Sequence, residues 1–340
     1  MVLVTGGTGL IGSHVLLHLL ENGENVRAIY RTEKHLQKTK ALFDYYSKPE
    51  LFLKIDWIVA DIIDVPSLET AFQNIDAVYH CAGFISFDPK DENLLRKINI
   101  EGTANIVNFC IDRKVTKLCH VSSIAALGDL TKFKNDTSKP KLINEETEWN
   151  PETLHSDYAL SKYGAEMEVW RAQQEGVDVV IVNPGVVFGP GFWNQGSGAF
   201  FTTVKGGIPF YTNGSTGYVA VIDVVKIMCQ LMKSEVFNER FILIAENISY
   251  KKMVDMIAVK IKAPKPKIEA SPWLLNLAWR LDGIFATLFR TKRKITRQGA
   301  NSLQNADLVS NEKITSHLNY SFVPISDYLD TIVPDFKRKT

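Results

Sequence analysis

A chain of 340 residues, 45% hydrophobic and 23% charged, has the composition of a globular protein and the length for a large core with one satellite lobe. A formal net charge of +1 provides no electrostatic footprint for a nucleic-acid partner. The four cysteines (Cys81, Cys110, Cys119, Cys229) show no C-x-x-C pairing and three sit in apolar segments, so buried free thiols in a reducing compartment fit better than disulfides or zinc ligands.

The chain opens Met1-Val-Leu-Val-Thr-Gly-Gly-Thr-Gly-Leu-Ile-Gly12. Val2 to Val4 reads as a buried strand and the glycines as a tight turn. The periodic residues Leu10, Ile11, Val15, Leu16, Leu19 and Leu20 read as a helix closing at Asn22-Gly23. Strand, glycine turn and helix form half of a dinucleotide-binding unit. Gly6 permits the sharp turn, Gly9 lets the backbone approach a pyrophosphate, and Gly12 lets the helix pack closely. The helix N-terminus offers unpaired N–H groups to phosphates. The candidate cofactor residues of this turn are Gly6, Thr8, Gly9, Leu10, Ile11 and Gly12, with glycines spaced G-x-x-G-x-x-G in departure from G-x-G-x-x-G. No secretory signal precedes the first strand, so the expected location is cytoplasmic.

Val26 to Tyr30 reads as a second strand ending at Arg31. An acidic residue there would bind a ribose 2′-hydroxyl, whereas arginine suits a 2′-phosphate, and Lys34 and Lys38 follow within reach. NADP(H) is therefore preferred, with NAD(H) the alternative. Ile55 to Ala60 is a third strand ending at Asp61-Ile62, where a carboxylate is placed to accept the adenine amino group. Ala77 to His80 is a fourth, and the small residues Cys81-Ala82-Gly83 after it leave room for a cofactor. Glu92 to Cys110 is helical by period, and Lys117 to Val121 is a fifth strand ending in Ser122-Ser123. Residues 129–150 form a polar inserted loop, Asp157 to Gln174 a helix and Val177 to Val182 a sixth strand. This alternation predicts an α/β fold with a doubly wound parallel sheet covered on both faces.

After Asn183-Pro184-Gly185 the pattern changes. Glycine and aromatic residues dominate Phe188 to Tyr218, and the alternation becomes too irregular to continue the sheet. The expected division is a dinucleotide-binding domain at 1–185, joined by part of 219–245, and a smaller lobe at 186–340 that binds substrate and closes over the open strand ends. From Trp273 to Phe289, Leu274, Leu277, Ala278, Leu281, Ile284, Phe285 and Leu288 fall on one helical face. Arg290-Thr-Lys-Arg-Lys294 follows. The stretch is too short to span a membrane. A lid or packing helix is preferred to a peripheral membrane-surface helix.

Tyr158-Ala-Leu-Ser-Lys162 places a phenol and an ammonium one helical turn apart on one face. A tyrosine with its usual pKa of about 10 is a poor proton shuttle near neutral pH, and a nearby lysine cation favours the phenolate. Ser123 can donate a hydrogen bond to the carbonyl oxygen where charge develops as hydride arrives. The order carries the weight: nucleotide turn, serine after strand five, then this pair opening the next helix. His80 reads as a structural residue near the cofactor, because nothing supplies a metal partner or a triad.

The chain resembles an extended short-chain dehydrogenase/reductase of the NAD-dependent epimerase/dehydratase family, most of all the dihydroflavonol 4-reductase branch. The matching segments are Thr5 to Gly12, Asp61-Ile62, His80 to Gly83, Asn99 to Thr103, Val121 to Gly128, Tyr158 to Lys162, Asn183 to Pro190 and Tyr218 to Asp223, with a weaker match at Phe241 to Ser249. The resemblance implies a Rossmann-type sheet and a soluble reductase of ketones or aldehydes. In it Tyr158 is the general acid, Ser123 orients the carbonyl, and Lys162 binds the nicotinamide ribose and lowers the Tyr158 pKa. It also implies a proton-relay role for Asn99, Ser122 as the neighbour to test if Ser123 is silent, and Pro184, Gly185 and Val187 against the carboxamide. Arg31 and Lys38 match positions for the 2′-phosphate, and a homodimer through the helices at 92–110 and 157–174 is suggested. Ile124-Ala125 stands where dehydratases carry an acidic pair, and Ser215-Thr216-Gly217 lacks the arginine with which epimerases grip a diphosphate. A sugar-nucleotide epimerase is the first alternative, and a non-catalytic NADP(H)-binding protein the second.

Overall fold

The computed structural model describes residues 1–128, 142–289, 291, 293 and 295–339. Its strands are β1 (Val2–Thr5), β2 (Val26–Tyr30), β3 (Asp56–Val59), β4 (Ala77–His80), β5 (Lys117–Val121), β6 (Asp178–Pro184), β7 (Val186–Phe188), β8 (Ser215–Ala220), β9 (Glu239–Leu243) and β10 (Glu246–Ser249). The principal helices are α1 (Leu10–Glu21), α2 (Glu33–Tyr45), α3 (Val65–Ala71), α4 (Gly102–Asp112), α5 (Asp157–Gln174), α6 (Val221–Lys233), α7 (Tyr250–Ile261), α8 (Pro272–Leu288) and α9 (Ile325–Lys339).

Seven strands form one sheet in the order β9-β6-β5-β4-β1-β2-β3, every pair parallel. This is the doubly wound Rossmann-type sheet that the alternation predicts. Consecutive strand residues feed opposite faces: Leu3, Val78, Leu118 and Val179 pack with α3, α4 and α5. Val4, Tyr79, Cys119 and Val180 pack with α1, α2 and α6. The strand order reverses between β1 and β4, which opens a crevice at their C-terminal ends.

One expectation changes. The sheet does not stop at the sixth strand: β9 pairs with β6 from Glu239↔Val180 to Leu243↔Pro184. The intervening 54 positions between these strands hold β7, β8 and α6, and this excursion hides the alternation in the sequence. The aromatic segment after Phe188 contributes to the core: Phe188, Phe192, Trp193 and Phe201 are buried. Phe201 packs on Trp193 and on Phe336 of α9, and Trp193 Nε1 donates to Asp335 at 2.9 Å. β7 and β8 pair in parallel and β10 closes their sheet antiparallel. All four cysteines are free, three of them buried, as the sequence led one to expect. Among the described residues no helix is long and apolar enough to cross a membrane.

Three histidines are buried: His14, His80 and His120. Burial pushes His14 down to about 4 and His80 to about 3, and holds His120 well below the usual imidazole range. Unfolding returns each to about 6.5, so below that pH the unfolded chain takes up protons that the folded chain refuses. Their contribution is therefore fully present above pH 6.5 and is lost as pH falls toward the folded values. The thermal midpoint should drop between pH 7 and pH 5. Neither ring nitrogen of His120 has a partner among the described residues. His120→Phe should then stabilise the protein by about 1 kcal/mol and flatten the acid slope, read by thermal unfolding across that range.

Candidate active site

The turn between β1 and α1 is built from glycines that serve different ends. Gly6 has φ +67°, and a Cβ there would stand 2.6 Å from the Ala82 backbone nitrogen. A Cβ on Gly12 would overlap the Gly6 carbonyl oxygen, so any side chain would push α1 off the turn. Gly9, the N-cap, is different: its Cβ would meet nothing nearer than that oxygen at 3.4 Å. The terminus of α1 carries no side-chain cap and no acidic residue in its first turn, so its N–H groups face an open cradle beside Thr8. The side chains of Leu10 and Ile11 turn into the core, which leaves only their backbone at the turn.

At the end of β2, Arg31 is 56% exposed and lies 4.0 Å from Asp61. Burial and then the charges of Arg31, Lys38 and Lys34 depress His35, which registers a cluster of cations at the start of α2. Lys38 Nζ donates to Gln195 Oε1 at 3.0 Å. Asp61 Oδ1 accepts from Ile63 N–H. Ile62 is buried, its Cδ1 packed where a Gly102 Cβ would clash, so Asp61 alone of that pair presents a side chain to the crevice.

At the end of β4, His80 bridges Thr5 (2.6 Å) and Thr103 (2.9 Å), a neutral strut between β1 and α4. Burial pushes the Cys81 thiol up, so it is inert. Ala82 N–H donates to the Thr5 hydroxyl, and a Cβ on Gly83 would come within van der Waals range of Asn99 Oδ1 and Lys162 Nζ.

Tyr158 and Lys162 occupy the first two turns of α5, capped by Ser156, whose hydroxyl accepts from Ala159 N–H at 3.1 Å. Ser123, whose hydroxyl accepts from Ala125 N–H at 3.1 Å and caps the short turn Ile124–Ala126, lies near enough to the Tyr158 hydroxyl to lower its pKa. Lys162 is buried and its Nζ donates to the Val121 carbonyl at 2.8 Å. The structure thus brings Ser123, Tyr158 and Lys162 together at the ends of β4 and β5. It also reverses one expectation. Tyr158 is raised above its ordinary value by burial, and the Ser123 hydrogen bond offsets this only in part. Lys162 does not lower it, because the ammonium is spent on Val121 and is itself pushed down to about 8 by burial.

Asn99 also differs from expectation. Its amide donates to the Phe84 carbonyl (2.9 Å) and the Ser161 hydroxyl (2.8 Å), and its oxygen accepts from Phe84 N–H (2.7 Å). The side chain is a clamp between the loop after β4 and α5, with no free group for a proton relay. It projects from a π-helical turn, Arg96–Glu101, that leads into α4 and has no signal in the sequence. Pro184 and Val187 are buried where β6 ends and β7 begins, and Gly185 allows the close approach of Gly217.

The residue that sequence reasoning missed is Glu166, one turn beyond Lys162 and fully buried. Its Oε2 accepts from the Ser122 hydroxyl (2.8 Å) and Asn183 Nδ2 (3.0 Å), and Oε1 pairs with Arg240 at 3.1 Å. Asn183 Nδ2 also donates to the Ser123 carbonyl at 3.0 Å. Arg240 in turn donates to the Glu145 carbonyl, and the Glu145 carboxylate accepts from Ile242 N–H at 2.8 Å. Ser122 is therefore engaged below the site, and Ser123 alone faces Tyr158. The sequence did carry a signal, a carboxylate four residues after Lys162 on the buried face of the same helix.

A crevice at the switch point of a parallel sheet, opened by a glycine turn and lined by Ser, Tyr and Lys, matches a known profile over residues 2–243, that of the NAD dependent epimerase/dehydratase family. The chain belongs to this family. Its relatives include a protein of Synechocystis sp. named "Putative dihydroflavonol 4-reductase", 31% identical over 299 residues, which cover 85% of this chain and 80% of that one. Among solved structures the chain is similar to yeast methylglyoxal/isovaleraldehyde reductase Gre2 complexed with NADPH (TM-score 0.70, 22% identity, 98% and 97% of the two chains). It is also similar to the UDP-glucose 4-epimerase of Thermotoga maritima with UDP-glucose (TM-score 0.75, 20% identity, 99% of each chain). As a family member the chain is an enzyme of the NAD(P)-dependent oxidoreductase type and binds a nicotinamide cofactor.

The buried Glu166–Arg240 pair yields a direct test. Removing one partner leaves the other buried without compensation, at a cost of about 3–5 kcal/mol, whereas removing both costs less. Glu166→Met should lower the unfolding free energy by that amount. The double variant Glu166→Met/Arg240→Met should recover part of it, as measured by denaturant unfolding in a double-mutant cycle.

Proposed function

We propose that the enzyme reduces a ketone or aldehyde with NADPH, Tyr158 donating the proton. The observation that carries this reading is the convergence of Ser123 and Tyr158 above Lys162, whose Nζ is held on the Val121 carbonyl at the end of β5. The cofactor fits the residues present. The uncapped terminus of α1 and the space in front of Gly9 suit a pyrophosphate, Asp61 suits the adenine amino group, and the cations Arg31, Lys34 and Lys38 suit a 2′-phosphate. Cys81, Ala82, Gly83, Pro184, Gly185 and Val187 would line the nicotinamide end.

When bound, NADPH supplies the hydride that reaches the carbonyl carbon. The protein handles the oxygen. Ser123 donates a hydrogen bond to it as negative charge develops, and Tyr158 transfers its hydroxyl proton to complete the alcohol. The Lys162 ammonium, held on the Val121 carbonyl, would bind the nicotinamide ribose. Burial supports this direction, because a Tyr158 raised above its ordinary pKa stays protonated at neutral pH and is a loaded acid. Phe87, 61% exposed with its ring 5.7 Å from that of Tyr158, gives the mouth an apolar edge suited to an apolar or aromatic carbonyl.

The epimerase alternative is weaker, since β8 begins Ser215-Thr216-Gly217 without an arginine. Net consumption of NADPH by the turning-over enzyme separates the two. A homodimer through the helices at 92–110 and 157–174 is part of the proposal, and Leu94, Leu160 and Met167 expose apolar side chains there.

Tyr158→Phe should reduce kcat for a carbonyl panel by about 10²–10⁴-fold while leaving the NADPH Kd nearly unchanged, and retained turnover would overturn the assignment. Lys162, pushed down to about 8, is the first of the pair to lose its proton as pH rises. The reduction rate should be level below that pH and fall above about 8, in a steady-state pH profile. Arg31→Ala should weaken NADPH by about tenfold or more and leave NADH unaffected, as titrated by fluorescence.

A further inference from the structure

The helix α8 is amphipathic in sequence, and the fold buries the wrong side of it for a packing helix. Only Leu275 and Ala286 of its residues are buried. Trp273, Leu281, Ile284, Phe285, Leu288 and Phe289 are 44–71% exposed and run as one stripe along the helix and the residue after it. The orientation is fixed from the other side. Leu275 joins a small core with Ala270 and Ala300, and Ser271 caps the first turn. Near the far end the Asp282 carboxylate accepts from Ile295 N–H at 3.2 Å, while Arg293 donates to the Trp279 carbonyl at 2.7 Å. A contiguous apolar surface held outward in this way calls for an occupant.

Charge identifies the occupant. Asp282 is the only acidic residue in the helix, and its side chain is 19% exposed and turned inward, 3.7 Å from Arg293. Arg280 is exposed beside the stripe, and the sequence continues Arg290-Thr-Lys-Arg-Lys294 directly beyond it. A second copy of the chain would meet this face with the same cations and no acid to answer them. A bilayer of anionic lipid answers both features: apolar side chains enter the acyl boundary while cations meet the headgroups. Tryptophan at one end and phenylalanine at the other suit the interface. Seventeen residues, about 25 Å of helix, lie along such a surface rather than across it.

We propose that α8 docks the enzyme on an anionic lipid surface. The inference does not rest on the catalytic reading. It does place the bilayer beside the crevice. Lys90 Nζ donates to the Thr291 carbonyl at 3.3 Å, and Arg293 N–H to the Asp88 carboxylate at 3.2 Å. Both ties join the end of α8 to the loop whose Phe87 packs on Tyr158.

The test is co-sedimentation of the full chain with vesicles of phosphatidylcholine alone and of an equimolar mixture with phosphatidylserine. Binding to the mixed vesicles at low salt, weakened by salt and absent with phosphatidylcholine alone, is expected. The double variant Leu281→Glu/Phe285→Glu should lose at least about tenfold in partitioning, with its thermal midpoint and NADPH affinity unchanged, and Trp273→Ser should weaken binding from the other end of the stripe. No binding to anionic vesicles at low salt, or equal binding by the double variant, overturns the proposal. So does light scattering in which the wild type is a larger oligomer that the double variant breaks, since a second copy would then cover the stripe.

Discussion

The site depends on how one buried ammonium is accommodated. Lys162 is buried where β4 and β5 end; its Nζ donates to the Val121 carbonyl, and the charge of Glu166 one turn away favours its protonated form. Burial alone would drive the lysine toward neutrality, and Glu166 is the main influence holding its charge. The same carboxylate takes hydrogen bonds from Ser122 and Asn183, and Asn183 reaches the Ser123 carbonyl. One negative charge therefore bears on the position of the Ser123 backbone and the state of the lysine together. Arg240 pairs with it from β9, which ties the late-arriving seventh strand to the candidate site as well as to the sheet.

The reversal at Tyr158 follows from the same closed environment. A lysine one turn away does not make a phenol acidic when its ammonium is aimed elsewhere. Desolvation acts against the phenolate, and the Lys162 ammonium is held on a carbonyl. For a hydride-accepting carbonyl this is useful. The acid has to be protonated before the reaction and has to give its proton only once the oxygen has become strongly basic. Ser123 offsets part of that desolvation.

What could be read from the sequence was local. The glycine turn, β5 and α5 were legible because strand, turn and helix signals and the Tyr158–Lys162 spacing lie within a few residues of each other. Each is enforced by a local constraint, such as the positive φ of Gly6 or the contact that forbids a side chain on Gly12. What was missed is set by partners far away in the chain. Glu166 is an ordinary helix residue until Arg240 and Asn183 fold against it. Asn99 acts as a clamp because Phe84 and Ser161 engage its side-chain amide. The stripe on α8 follows the expected period, yet periodicity reports only that a face exists, not which neighbour covers it. The inserted loop is legible only in its last part, since residues 129–141 lie outside the described residues.

Specificity has few places to reside. The core that packs Val4 and Ala28 of the large sheet is continuous with Trp193, Phe201 and Phe336, so the second lobe is anchored on the first and not hung beside it. Asp223, at the start of α6, accepts from the Tyr320 hydroxyl and Val323 N–H and pins the segment leading into α9 in the same way. A lobe fastened at so many buried points does not reshape itself for each substrate. The groups near Tyr158 that remain exposed belong to the loop around Phe87, and that loop is tied to the end of α8 by Lys90 and Asp88. The loop beside Tyr158 and the apolar outer helix are thus coupled through one short segment.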